Sequence, residues 1–123
     1  MPLDRLRAFI RTFIHVAAEH PELLRLMNIE GGESSERLDY IVERFIEPQL
    51  TRFRHIWQEL AERGEARDVP PEVMYFLITS GGGSMFASRA LTEKLFTSSP
   101  LEPQHYAAYA EQFTDLLMSA LKH

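Results

Sequence analysis

His15 and Glu19, and again His55 and Glu59, stand four residues apart. On a helix that spacing puts both groups of a pair on one face, as a metal site or a base-and-carboxylate pair would require. Neither pair belongs to a His-Glu-x-x-His motif, and the plain reading of each is a surface ion pair. The chain has no cysteine, which removes thiolate catalysis, disulfides and cysteine-held zinc. No Gly-x-Ser-x-Gly turn offers a nucleophile, and no pair of carboxylates is set apart for acid–base work. No catalytic residue, metal site or cofactor is expected. The one enzymatic reading left is a small helical enzyme using His15 or His55 as a base.

A second chemistry is the binding of an apolar molecule. Phe9, Phe13, Met27, Phe45, Phe53, Trp57, Met74, Phe76, Met85 and Phe86 supply rings and thioethers. Such side chains line adaptable cavities as readily as they fill a core, and residue by residue the core is the ordinary reading. Trp57 and Tyr75 add polar edges that could orient a ligand. Gly81-Gly82-Gly83 is the oddest run, since three glycines in an apolar helix cost about 2–3 kcal/mol relative to alanine. Three readings account for it: close helix approach at a dimer interface, a break that leaves room for a ligand, or a plain loop. A phosphate-cradling loop does not, because no strand precedes it and no Lys-Ser/Thr follows.

Composition bounds these readings. At 123 residues and 45% apolar, the chain holds one domain with a real core. Net charge is −5: residues 1–67 hold ten arginines and twelve acidic residues, residues 68–123 three basic and six acidic. Neither half is a basic surface for DNA, and Arg5, Arg7 and Arg11 read as a solvated helix face. No apolar run approaches the ~20 residues of a membrane span. The N-terminus, Met-Pro-Leu-Asp-Arg-Leu-Arg, lacks the apolar stretch of a secretory signal. A cytoplasmic protein is expected.

The elements that must position these residues are helices. Period-two alternation and hairpin turns are missing, and helical periodicity recurs throughout. The first helix is predicted from about Pro2 to Ala18, and a short one follows from Pro21 to the Gly31-Gly32 stop. A long third helix, capped by Ser34 or Ser35, runs to Gly64. Pro48 lies inside it, so a kink or break is expected near Glu47. A fourth begins near Pro71, is interrupted at residues 81–83, resumes at Met85 and ends at Ser98-Ser99-Pro100. The last runs from about Pro103 to Leu121. The fold class is all-α, a single bundle of five to six helices.

Two phrases make the pattern more specific. Arg63-Gly-Glu-Ala-Arg-Asp-Val-Pro-Pro-Glu-Val73 combines helix-stop and helix-start chemistry. Gly64 can take the left-handed conformation that closes a helix, and Asp68 is an acceptor just ahead of the next one. Pro70 and Pro71 suit an approach and a first turn, and Glu72 sits near the positive end of the dipole. Upstream lies His20-Pro-Glu-Leu-Leu-Arg-Leu-Met27, closed by Glu30-Gly31-Gly32. In this order, with a long helix between them and a helix pair after, the phrases resemble the C-terminal domain of TetR-family transcriptional regulators over nearly the whole chain.

The resemblance implies a small, mainly apolar ligand held between the first helix, the kinked long helix and the helix after Pro70-Pro71. The candidate lining is Phe9, Phe13, Met27, Phe45, Phe53, Trp57, Met74 and Met85. It also implies a homodimer, and the last helices offer a face for it with Phe86, Tyr106, Tyr109, Ala110, Phe113 and Leu117. Three glycines depart from the usual pattern of such domains, whose helix commonly continues there. Regulators of this kind read DNA with an N-terminal helix-turn-helix domain, and nothing in residues 1–123 plays that role. DNA is therefore a partner only through that missing domain. The alternative is a structural helical dimerisation module with a filled core and no ligand.

Overall fold

The computed structural model describes residues 1–97 and 101–121 as helices joined by short turns, with no strand among them. The elements are α1 (Pro2–Glu19), α2 (Pro21–Glu30), α3 (Glu36–Ile41), α4 (Glu47–Glu62), α5 (Pro71–Phe76), α6 (Gly82–Ala87), α7 (Arg89–Leu95) and α8 (Pro103–Ser119). Two π-helical turns, Val42–Ile46 and Leu77–Gly81, join α3 to α4 and α5 to α6. The all-α bundle expected from periodicity is what forms. The expected stop at Ser98-Ser99-Pro100 lies outside the described residues.

α1 is the hub. Leu6, Ile10, Ile14 and Ala17 recur every three or four residues and are all buried, which turns one stripe inward. α8, α6 and α4 pack around that stripe. Three arginines on α1 reach across to its neighbours. Arg5 pairs with Glu59 of α4, Arg7 with Asp115 at 2.7 Å and Arg11 with Glu111 at 2.6 Å, both on α8. The solvated face expected of these arginines is thus a set of exposed interhelical ion pairs. Exposed pairs add at most about 1 kcal/mol each, so they fix register more than stability.

Helix ends follow local chemistry. The Ser35 hydroxyl accepts the Leu38 N–H at 3.0 Å and caps α3. α4 closes on Gly64 at φ +68°, where Glu65 N–H bonds Leu60 O and Gly64 N–H bonds Ala61 O, a Schellman motif. Asp68 does not cap the next helix: Pro70 holds the cap position and makes no side-chain cap hydrogen bond.

Two expectations about interruptions change. Pro48 does not break the long helix. The turn ahead of it widens, and Glu47 N–H reaches back five residues to Val42 O, which relaxes the crowding a proline ring imposes on the preceding turn. The glycines do not interrupt the fourth helix either. Gly81 ends the second π turn, Gly82 and Gly83 open α6, and the break comes at Ser88 (φ −102°, ψ 58°).

The reason for glycine lies in its neighbours. A methyl at Gly82 would meet the Phe113 ring at 3.2 Å and Ile14 at 3.4 Å; one at Gly83 would meet Leu24 at 2.9 Å. Absent side chains let α1, α2 and α8 close onto α6 within the protomer. Past the break, the Thr92 hydroxyl donates to Met85 O at 2.8 Å and holds α7 against the end of α6.

Candidate functional site

The apolar residues expected to bind ligand fall into two groups. Phe53, Trp57 and Met74 are buried in the core. Phe53 stacks with Trp57 (centroids 6.1 Å), tilts against Phe9 (5.2 Å) and meets Tyr75 edge-on (6.0 Å). The Trp57 indole N–H donates to Val69 O at 3.0 Å and anchors the loop between α4 and α5. Its polar edge is engaged in the fold rather than offered to a ligand. Burial pushes the Tyr75 phenol above its ordinary range.

The second group lines the seam beside this core. Phe9 and Phe13 of α1 are half-buried and pack on its flank, with Leu24 of α2 beside them. Met27 and Met85 are also half-buried. Phe45 stands apart: it is 62% exposed, and its ring meets Tyr40 edge-on, with the Arg44 guanidinium over the Tyr40 ring at 5.5 Å. The structure therefore brings Phe9, Phe53, Trp57 and Met74 together and leaves Phe45 outside. A surface cavity of about 490 Å³ lies at the turn between α2 and α3, lined by Ile29, Glu30, Glu33, Ser34 and Ser35. Sequence patterning gave no sign of it, since its walls come from a turn.

The residues expected to self-associate also pack within their own protomer. Phe86 and Ala110 are buried, and Tyr106, Tyr109, Phe113 and Leu117 pack against the core of their own protomer. Tyr109 meets Phe86 at 5.7 Å and Phe113 at 5.9 Å, and its hydroxyl donates to Gly81 O at 3.2 Å. Burial pushes its phenol up to about 12. An outward stripe runs along α5 and the second π turn, where the sequence is apolar round most of the helix. Val73, Phe76 and Leu77 are exposed, Phe76 at 66%, and Ser80 and Ser84 continue the same side. Leu116 is the large apolar residue that α8 leaves exposed. Three- and four-residue spacing alone did not say which side of these helices faces in.

The histidine pairs do not form sites. Glu59 pairs with Arg5, and His15 packs its ring edge-on to Tyr106 at 5.2 Å. Neither His15–Glu19 nor His55–Glu59 is an ion pair, and no group of three or more metal-ligating side chains occurs among the described residues. At the foot of α5 the Glu72 carboxyl accepts its own backbone N–H and Arg54 Nε at 3.0 Å, which together hold it below the usual carboxylate range. No helix among the described residues is long and apolar enough to cross a membrane.

The all-α bundle around α1 is the setting for the family match. The chain belongs to the tetracyclin repressor-like C-terminal domain family, whose model matches residues 2–117. It is a domain of a TetR-family transcriptional regulator. No curated protein matches the chain.

Proposed function

We propose that this domain senses a small, mainly apolar ligand and holds its regulator together as a homodimer. The observation that carries the dimer is the outward stripe Val73, Phe76, Leu77, flanked by small Ser80 and Ser84. A monomer gains nothing by exposing it, whereas two copies crossing antiparallel at the serines would bury it isologously. A stable dimer needs about 800 Å² per partner, so exposed Leu116 on α8 belongs to the same contact in this reading.

The ligand fits best at the seam between α1 and α2. Phe9, Phe13 and Met27 would touch it, with Phe53, Trp57 and Met74 as a packed floor. Met85 and Phe45 complete the earlier candidate set; Phe45 would have to swing in with its helix. A ligand that prefers one arrangement of that helix shifts the balance between two states of the regulator. Operator DNA would be read by a helix-turn-helix unit outside residues 1–123, in the cytoplasm, and a repressor is the expected parent.

Native mass spectrometry tests both parts. A dimer mass, converted to monomer by Phe76→Glu with helix content intact, supports the interface; a wild-type monomer rejects it. An adduct lost on activation and absent from Phe13→Ala dimers supports the seam. A dimer that takes up no apolar compound and shows no thermal shift leaves a dimerisation module without ligand.

A further inference from the structure

We propose that the outward faces of α2 and of the arm formed by α3 and its π turn dock a basic amphipathic helix from another protein. Residues 18–49 contain no buried residue. Yet they carry eleven large apolar side chains, from Leu23 to Ile46. On α2, Leu23, Leu26 and Ile29 recur every three residues along one side and are exposed, Ile29 at 74%. On the arm, Tyr40 and Phe45 are exposed and lean on each other. The arm finds most of its close neighbours along its own helical run, with Ile46 at its end packed on the core. The two faces adjoin through the Gly31–Ser35 turn, and Arg37 binds Glu30 across it at 3.0 Å.

Charge selects the occupant. Residues 18–49 hold eight acidic and three basic residues, net −5, which is the net charge of the whole chain; the remaining residues balance at ten of each sign. Glu36, Asp39 and Glu43 share one side of the arm at three- and four-residue spacing, and none has an ion-pair partner among the described residues. Like charges so placed disfavour the helix by a few tenths of a kcal/mol per pair. A cationic partner removes that cost and steers its own approach.

DNA and a second copy of this acidic face are both repelled. A drug-sized cation is too short: α2 and the arm are each about 15 Å long, the reach of a helix laid in a groove. A helix with leucines on one side and lysines on the other matches both the apolar spacing and the charge.

The test uses the intact chain and two labelled helix-forming peptides of about 18 residues, one leucine–lysine and one leucine–glutamate. Fluorescence anisotropy should show saturable binding of the lysine peptide only, weakened at least ~10-fold between about 0.05 and 0.5 M NaCl. Leu26→Ser with Ile29→Ser, and Asp39→Asn with Glu43→Gln, should each weaken it about 5–10-fold with unchanged circular dichroism. Phe76→Glu, on the α5 stripe, should leave it intact even if the dimer is lost. Equal binding of the glutamate peptide, or indifference to both double substitutions, overturns the proposal. So does tetraphenylphosphonium binding that depends on these residues when the lysine peptide does not bind.

Discussion

Phe53 and Phe45 stand eight residues apart on one helical run and meet opposite surroundings. Phe53 is wholly buried among Phe9, Trp57 and Tyr75; Phe45 is 62% exposed and touches Tyr40. The contrast extends to the regions around them. From Leu50 onward α4 buries Leu50, Phe53, Ile56, Trp57 and Leu60, because α1 and α5 lie opposite. Before Leu50 the same kind of side chain is at best half-buried: Ile46 packs on the edge of the core, while Tyr40 and Phe45 stay exposed. Side-chain chemistry makes burial favourable, but an opposing surface makes it happen. The π turn and Pro48 mark where the run passes from one condition to the other. One region is packed for stability, and the other keeps apolar side chains exposed.

The sharpest break in this comparison comes from truncating the two rings. Phe53→Ala should cost about 3–5 kcal/mol in urea unfolding, the usual loss for a phenylalanine deleted from a packed core. Phe45→Ala should cost under about 0.5 kcal/mol, as surface changes do. Similar losses would mean that the arm is packed against the bundle in solution and that the contrast is false.

Glycines give a finer version of the same test. Gly82→Val should destabilise by about 1–3 kcal/mol, since its branches would press on the Phe113 ring and Ile14. Gly32→Ala lies in the uncored region, where an added methyl meets only Ile29 O at 3.6 Å, an ordinary contact. It should shift the thermal midpoint little in either direction. A harmless Gly82→Val would show that α8 and α6 are looser than the bundle geometry requires, and would revive the glycines as a flexible break.

These differences explain what was legible in the sequence. Backbone chemistry read well, because few residues meet its demands: only glycine takes φ +68° without strain, as at Gly64, and a hydroxyl before an amphipathic run caps it, as at Ser35. Periodicity gave the helices and their rough ends. It did not say how far each side of a two-sided apolar helix is covered: Tyr109 and Phe113 pack on the glycine turn and Tyr106 on His15. It was also blind to partners far along the chain. Arg5 to Glu59 and Trp57 to Val69 are set by tertiary placement, and π turns leave no compositional trace. Of the candidate ligand residues, Phe9, Phe53 and Trp57 come together, and Phe45 does not.

The smallest effect expected in the cored region is set by pH. The Tyr109 ring lies against Phe86 and Phe113, and its hydroxyl donates to Gly81 O. Burial penalises the phenolate, so its pKa rises from an ordinary 10.0 to about 12 in the fold. The folded state therefore keeps a proton that the unfolded chain gives up first. That contribution to stability is whole below pH 10 and is lost as pH climbs through 12. Tyr109→Phe should cost about 1 kcal/mol at neutral pH for the lost hydrogen bond. It should also flatten the alkaline limb of the stability curve, so that wild type and variant converge there. Buried Tyr75, shifted in the same direction, preserves a residual slope in the variant. Parallel curves through the alkaline range would show that the Tyr109 hydroxyl reaches water, and that α8 stands away from the π turn it is drawn against.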